Sequence, residues 1–213
     1  MRTLYFIRHG QSEANVLRVI SNRGQVHGLT DLGRQQASSL AEQLRDSNAG
    51  ITKIYSSPLL RARQTAEILA QGLASGLGTG GALPIEITDA LREFDCGAVE
   101  GRADEAAWQM HNTLCRDWAA GLKLDNRIPG GESFMDLQQR FVPFIASLIA
   151  QDEFSLALVG HGGLYFAMLP LVLANISRQF TWTHHISNAA YILAEAGEEG
   201  LICREWNRED VKG

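Results

Sequence analysis

Positive net charge, long apolar runs and clustered cysteines are all missing from this chain of 213 residues. The formal net charge of −5 argues against a general nucleic-acid binder and against a protein that binds membrane surfaces. The most apolar stretch, residues 164–176, is interrupted by Pro170 and Asn175 and is too short to span a bilayer. With these classes of protein excluded, we expect a cytoplasmic enzyme with no nucleic-acid or membrane partner.

The three cysteines, Cys96, Cys115 and Cys203, lie far apart in the chain and lack the spacing of metal ligands. A small odd number of cysteines suits a reducing compartment, so we expect buried, free thiols. The first residues read as a strand and not as a cleavable leader, which also favours the cytoplasm.

Length and patterning favour an α/β protein. The chain is long enough for one sizeable core, and we expect a single domain over residues 1–213. Strand and helix patterns alternate, which predicts a three-layer α/β/α sandwich with a mostly parallel central sheet. Residues 189–195 and 201–207 are typical of a terminal hairpin. A helical insert is expected at about residues 103–124, near the active site.

Local signals predict several helix features. Thr30 can cap one helix, and Ser133 with Asp136 resembles a capping box. Ser57 followed by Pro58 predicts an N-cap with proline in the first helical position. The helix of the insert is expected to pack through one side, which carries Ala107, Met110, Leu114 and Trp118.

A glycine-rich stretch contains Gly76-x-Gly78-x-x-Gly81, which formally matches the dinucleotide-binding fingerprint. That fingerprint requires a strand before it and a helix after it. Here the patterns predict a helix before it and a strand, residues 84–88, after it. We therefore interpret the stretch as a loop and expect no cofactor.

Two buried-strand patterns end in histidine followed by glycine, at residues 9–10 and 161–162. Ligands of an open parallel sheet bind outside the carboxyl ends of its strands, so both imidazoles can lie at one crevice. The side chain of His9 gains and loses its proton near neutral pH, and Arg8 is a permanent cation suited to phosphate or carboxylate. Residues 8–10 alone fit an ordinary strand end equally well, but the second copy favours chemistry on an anion.

Six short motifs follow one another along the chain. They are Arg8-His9-Gly10-x-Ser12-x-x-Asn15, Leu29-Thr30-x-x-Gly33-x-x-Gln36-Ala37, Ser56-Ser57-Pro58-x-x-Arg61-x-x-Gln64-Thr65-Ala66, Leu91-x-Glu93-x-x-x-Gly97-x-x-Glu100-Gly101, Gly130-Gly131-Glu132-Ser133 and Gly160-His161-Gly162. In order and spacing they resemble the histidine phosphatase superfamily, which includes cofactor-dependent phosphoglycerate mutase. The resemblance covers about residues 3–190 and implies a phosphoglycerate mutase-like fold.

This resemblance implies that His9 is the nucleophile and forms a phosphohistidine. A neutral imidazole with one nitrogen bound to a backbone carbonyl can direct the lone pair of the other nitrogen at phosphorus. Glu93 matches the acid/base position of the family. A carboxyl group next to a phosphate is suited to protonating the leaving oxygen near neutral pH.

The resemblance also implies which residues hold the substrate. Arg8, Arg61 and His161 match the phosphate-pocket positions, Asn15 matches a neutral donor there, and Gly162 adjoins the second histidine. Arg61 is expected in the first turn of its helix, where the dipole also favours an anion. Because these cations can neutralise a phosphoryl group, no metal ion is expected.

The remaining histidines match no catalytic position. We expect His27, His111, His184 and His185 to be surface or structural groups. Asn188 lies in a segment that resembles the entry to the last strand of the family, where it is expected to bind the backbone.

Departures from the family bear on the reaction. The mutase branch carries Glu-Arg-His-Tyr-Gly where this chain carries Glu93-Phe94-Asp95-Cys96-Gly97, so basic residues that help to hold a phosphoglycerate are missing. We therefore interpret the chain as a metal-independent phosphatase that hydrolyses phosphomonoesters. A mutase and a non-catalytic module that binds phosphorylated ligands remain as alternatives. The substrate, whether a small phosphorylated molecule or a phosphoprotein, and the oligomeric state stay open.

Overall fold

One sheet connects the parts of the chain that the computed structural model describes, which are residues 2–24, 26–75, 81–151, 154–198, 200–207 and 209–211. Its strands, in chain order, are β1 (Arg2–Arg8), β2 (Lys53–Ser56), β3 (Ile85–Ile87), β4 (Phe154–Gly160), β5 (Tyr191–Gly197), β6 (Gly200–Trp206) and β7 (Glu209–Asp210). Across the sheet their order is β3-β2-β4-β1-β5-β6-β7.

The pairing divides the sheet into two halves. Strands β3, β2, β4 and β1 are joined by parallel pairing, and β5, β6 and β7 extend the sheet by antiparallel pairing. The antiparallel half includes the predicted terminal hairpin. In the parallel half, Arg8 pairs with Gly160. The two strands therefore end at the same level, and His9 and His161 leave the sheet side by side.

Helices cover both faces of this sheet. They are α1 (Glu13–Leu17), α2 (Asp31–Asp46), α3 (Leu60–Ala74), α4 (Glu105–Ala119), α5 (Phe134–Ile149), α6 (Gly162–Met168) and α7 (Arg178–Thr183). Successive residues of a strand point to opposite faces. Thus Tyr5 and Ile7 pack with α2 and α3, whereas Leu4 and Phe6 pack with the cluster that includes α4, α5 and α6. The predicted three-layer sandwich is confirmed.

Two predicted helix starts are confirmed. The Thr30 hydroxyl accepts a hydrogen bond from the backbone N–H of Gly33 at the start of α2. At the start of α5, Ser133 and Asp136 form a reciprocal capping box. Both devices are local, because donor and acceptor lie within one helical turn.

The predicted N-cap at Ser57 is wrong. Helix α3 begins at Leu60, and its N-cap is Leu59, which makes no side-chain cap. The Ser57 hydroxyl accepts instead from the backbone N–H of Leu59 and lies 2.7 Å from Nε2 of His161. A contact from a distant strand has thus engaged the side chain that would otherwise cap the helix.

The insert contains the predicted helix, α4. Ala107, Leu114 and Trp118 are buried on its inner side, but Met110 is 42% exposed, so its predicted packing role is wrong.

The glycine pattern interpreted as a loop lies largely outside the described residues, between α3 and β3. The three cysteines are buried and free, as expected. Over the described ranges, no helix is both long and apolar enough to cross a membrane.

Candidate active site

The ring of His9 lies just past the end of β1 and is 3% exposed. Its Nδ1 is 2.7 Å from the Gly10 carbonyl oxygen, so Nδ1 carries the proton and donates it there. The other nitrogen, Nε2, accepts a hydrogen bond of 3.1 Å from Nε of Arg61. Burial, followed by the charges of Arg61 and Arg8, holds the pKa of His9 well below its ordinary value of 6.5. His9 is therefore a neutral imidazole with its Nε2 lone pair directed away from the backbone.

His161 follows β4 and is completely buried next to His9. The centroids of the two rings are 5.1 Å apart. Nε2 of His161 bonds the Ser57 hydroxyl, while its Nδ1 is buried and has no hydrogen-bond partner among the described residues. Burial, followed by the charge of Arg61, holds the pKa of His161 well below 6.5, so this imidazole is also neutral.

Two guanidinium groups, those of Arg61 and Arg8, lie next to these histidines. Arg61, in the first turn of α3, is 6% exposed, and burial lowers its pKa to about 10. Arg8 is held by a 2.8 Å bond from Nη1 to the carbonyl of Ile186, and its Nε is buried without a partner. Gly162 gives Arg8 its space, since a Cβ there would lie 3.3 Å from the Arg8 Nε. At pH 7 both arginines remain charged.

Asn15 completes this side of the site. Its Oδ1 accepts from the backbone N–H of Ser12 and from Nδ2 of Asn188. Because these bonds use the side-chain oxygen, the amide N–H groups are the part of Asn15 that can donate to a ligand. Nδ2 of Asn188 also donates to the His9 carbonyl, which confirms the predicted backbone tie.

Glu93 enters the site from the loop that follows β3. Its side chain is 9% exposed. One carboxylate oxygen accepts from the backbone N–H of Phe94 at 3.0 Å, and the other accepts from the N–H of Gly163 at 2.9 Å. The second bond spans 70 residues and orients the carboxylate toward the start of α6.

Two further acids of the motifs support this loop. Glu132 accepts from the backbone N–H of Asp95 and from the side chains of Arg92 and Arg140. Glu100 accepts from the backbone N–H groups of residues 22 and 23. Both carboxylates bond protein groups next to the site, so they are structural braces for the loop that carries Glu93.

Gly10 is required because two loops approach closely. A Cβ on Gly10 would collide with the backbone carbonyl of Gly33, and one on Gly33 would collide with that of Gln11. The Gly10 N–H donates to the hydroxyl of Thr65 on α3. The glycine after the histidine therefore permits contact with helices α2 and α3.

The side chains enclose a cavity of about 200 Å³. It is lined by six of the predicted residues, namely Arg8, His9, Asn15, Arg61, Glu93 and Gly162. His161, the seventh, is in contact distance of His9 but does not line the cavity. The sequence-predicted residues are thus assembled at one place, with His161 buried at its edge.

Several residues that line this cavity received no site role from the sequence, and two of them contact Glu93 or its neighbour Phe94. His111 of α4 lines it, contrary to the expectation of a surface or structural group, and its ring stacks on Phe94 at 5.3 Å. Gly163 also lines it, and its N–H holds Glu93. No local sequence pattern indicated a site role for His111. For Gly163, the repeated glycine after His161 was a sequence feature that could have indicated such a role.

The other histidines lie elsewhere. His27 bonds the hydroxyl of Ser21 through Nδ1, and His184 stacks on Phe180 with ring centroids 4.1 Å apart. His185 is exposed. In the part of the chain that is described, no three His, Cys, Asp or Glu side chains are grouped so that they could hold a metal ion.

Comparison with known proteins identifies the family of this chain. A model described as the histidine phosphatase superfamily (branch 1) matches residues 4–209. A Proteus mirabilis (strain HI4320) protein named probable phosphoglycerate mutase GpmB is 38% identical over 178 residues, 81% of this chain and 75% of that protein. The mycobacterial glucosyl-3-phosphoglycerate phosphatase, solved with VO3, has a TM-score of 0.76 and 27% identity, with 97% of this chain and 99% of that chain covered. Shigella flexneri alpha-ribazole phosphatase has a TM-score of 0.74 and 25% identity, with 99% of both chains covered.

These relatives are named as phosphatases or as a mutase, enzymes of phosphoryl transfer. The match to the family model spans nearly the whole chain and includes every residue of the site described above. The chain belongs to the histidine phosphatase superfamily, branch 1.

Proposed function

We propose that this protein is a phosphomonoesterase that transfers the phosphoryl group of its substrate to His9 and then to water, without a metal ion. The hydrogen bond from Nδ1 of His9 to the Gly10 carbonyl carries the proposal. It selects the tautomer whose Nε2 has a lone pair, beside Arg8 and Arg61 in a cavity of phosphate-binding size. A neutral imidazole in this state is a nucleophile.

In the first step, Nε2 of His9 forms a bond to phosphorus as the bond between phosphorus and the ester oxygen breaks. Arg8 and Arg61 stabilise the charge on the equatorial oxygens. The Arg61 N–H that bonds His9 moves to a phosphoryl oxygen and frees the lone pair. Glu93, as a carboxylic acid, gives its proton to the leaving oxygen, so the product leaves as a neutral alcohol.

In the second step, water attacks the phosphohistidine. Glu93, now a carboxylate, accepts a proton from this water as the new oxygen–phosphorus bond forms. The bond between phosphorus and nitrogen breaks, and its electron pair returns to Nε2 of His9. Inorganic phosphate leaves, and both side chains are back in their starting states.

His161 is proposed to donate to a phosphoryl oxygen. Its Nδ1 is buried, has no partner and belongs to a ring centred 5.1 Å from that of His9. A buried donor without an acceptor is costly, and a bound anion would satisfy it. The unpartnered Nε of Arg8 supports the same interpretation.

The charges of the cavity favour hydrolysis over the mutase reaction of a phosphoglycerate. A phosphoglycerate carries a carboxylate in addition to its phosphate. Among the described residues, the Arg and Lys side chains that line the cavity are Arg8 and Arg61, and both are needed at the phosphoryl group. A carboxylate would therefore lack a cation, which supports water as the acceptor. Mutase activity, named for the Proteus relative, is the competing function.

The test is phosphate release from a panel of monoesters in the presence of EDTA, followed by quenching in alkaline denaturant, in which a phosphohistidine survives, and mapping of the trapped phosphoryl group. We expect release of phosphate and a label on His9. Binding of phosphorylated ligands without turnover would favour a non-catalytic module. Interconversion of phosphoglycerates, primed by a bisphosphate and faster than phosphate release, would favour a mutase. A label on any other side chain would contradict the assignment of His9.

A further inference from the structure

A second cavity, of about 310 Å³, opens directly beside the first. The two share four lining residues, Arg8, His111, Gly162 and Gly163. The two cavities are therefore adjacent, and these four residues lie between a phosphate in the first and a leaving group in the second. We call this second cavity the side cavity.

The walls of the side cavity are largely aromatic and apolar. Phe166 and Trp182 are partly buried and contact each other with ring centroids 5.8 Å apart. Ile186, Trp206 and Cys115 of α4 are buried and also line this cavity. Flat aromatic walls of this kind favour a ring or another broad apolar group.

Charge is the second feature of the side cavity. Of the side chains that are described, Arg8 is the one Arg or Lys in its lining, and no Asp or Glu lines it. Arg8 is already committed to the phosphoryl group and to the Ile186 carbonyl. Three histidines, His111, His184 and His185, also line the side cavity, so an ionised group on the leaving alcohol would lose its water here without gaining a permanent cation as its partner.

We infer that the side cavity binds the leaving group, and that the preferred substrates are monophosphates of uncharged alcohols that carry an apolar ring. This inference rests on the proposed phosphatase function. It deepens that function because it distinguishes the preferred substrates from phosphoglycerates and from other esters that carry an anionic group in addition to the phosphate. His111, which lines both cavities, stands at the junction between the phosphate and the ring.

Three synthetic esters test the inference: propyl phosphate, 3-phenylpropyl phosphate and 3-carboxypropyl phosphate. They have similarly acidic leaving alcohols, so differences in kcat/KM report binding of the tail. We expect 3-phenylpropyl phosphate to exceed propyl phosphate by roughly tenfold or more, because a buried ring gains hydrophobic free energy. The carboxypropyl ester is expected to be the poorest substrate.

Binding to the His9→Ala variant, measured by calorimetry, keeps the test independent of turnover. Tighter binding of the phenylpropyl ester than of the propyl ester would support the side cavity as the site of the leaving group. If the parent protein hydrolysed none of the esters, that result would refute only the proposed function. Equal affinities, or a preference for the carboxypropyl ester, would overturn the inference. Hydrolysis of all three esters at equal kcat/KM would overturn it while leaving the phosphatase function intact.

Two variants place the effect in the side cavity. Trp182→Ala is expected to lower kcat/KM for 3-phenylpropyl phosphate much more than kcat/KM for propyl phosphate, so that most of the preference for the ring is lost. Asn112→Arg adds a cation at an exposed lining position and is expected to raise kcat/KM for the carboxypropyl ester. Met110→Ala is the matched control, since Met110 lies on α4 but lines a different cavity. A ring preference unchanged in Trp182→Ala would contradict the assignment.

Discussion

Nε of Arg61 donates a hydrogen bond of 3.1 Å to Nε2 of His9, joining residues 52 positions apart in the chain. The bond connects the first turn of α3 to the end of β1. It also occupies the lone pair that the proposed reaction uses, so substrate must draw the guanidinium away from the imidazole. The proposed anion-binding group and the proposed nucleophile are thus coupled through one hydrogen bond.

Replacement of Arg61 tests this coupling. Arg61→Lys retains a positive charge but loses the planar fork that can bond two phosphoryl oxygens. We expect kcat/KM for a monoester to fall by roughly 10²-fold or more, with weaker inhibition by vanadate. Arg63→Ala on the same helix is the control, because Arg63 does not line the site cavity. Equal losses in the two variants would show that the effect belongs to the helix and not to the site.

His9→Ala is expected to remove the phosphorylated intermediate. The imidazole beside it, His161, is completely buried and bonds Ser57 through Nε2, so we do not expect it to take the place of His9. We expect turnover to fall by roughly 10⁴-fold or more and no label to be trapped after rapid quenching in alkaline denaturant. His185→Ala, at an exposed histidine, should retain full labelling. Normal phosphohistidine in His9→Ala would exclude it as the nucleophile.

The role of Glu93 is tested with leaving groups of different acidity. Glu93→Gln cannot donate a proton, so hydrolysis of an alkyl phosphate should slow by roughly 10²–10⁴-fold. The loss should be smaller for 4-nitrophenyl phosphate, whose leaving group needs little protonation. Glu105→Gln on the surface of α4 is the control. Equal losses for both esters would argue that Glu93 acts through charge or position and not as the acid.

Gly163→Ala tests the orientation of Glu93 without changing its chemistry. A Cβ at this position would lie 2.7 Å from a ring carbon of Phe94 and 2.8 and 2.9 Å from the Glu93 carboxylate oxygens. We expect the carboxylate to be displaced and kcat to approach that of Glu93→Gln, with little change in circular dichroism. Gly81→Ala, where a Cβ would meet nothing within 4 Å, is the control. Unchanged kcat in Gly163→Ala would show that this carboxylate position is not required.

The buried histidines should weaken the fold in acid. Their pKa values lie well below 6.5 in the folded protein, whereas the unfolded chain binds protons near 6.5. Below pH 6.5 the unfolded state therefore holds more protons, and the free energy of unfolding falls as pH falls. Each such histidine contributes a loss of about 1.4 kcal/mol per pH unit until its folded pKa is reached, and none above neutrality.

Urea unfolding of His161→Gln and the parent protein at pH 8, 7, 6 and 5 measures this loss. Between pH 8 and 7 the difference in unfolding free energy should stay constant. Below pH 6.5 it should move in favour of the variant, by up to about 1.4 kcal/mol per pH unit, until the folded pKa of His161 is reached. A constant difference over the whole range would mean that His161 is not held neutral in the folded protein.

Local signals predicted what depends on neighbouring residues. Thr30 and Ser133 bond backbone groups three positions ahead, so their caps could be read directly from the chain. Arg8 pairs with Gly160 in two parallel strands, and each strand is followed directly by a histidine. Because parallel strands end at the same edge of a sheet, the convergence of His9 and His161 was predictable.

The amino-acid sequence by itself determined the layered α/β fold, the strand ends that carry the two histidines, and the motifs that identify the superfamily. Only the tertiary structure decided the uses of Ser57 and His111. The Ser57 hydroxyl bonds a ring 104 residues away instead of capping its own helix, and His111 reaches the site because α4 packs beside α6 and α7. Both outcomes depend on partners distant in the chain, and no local propensity encodes such contacts.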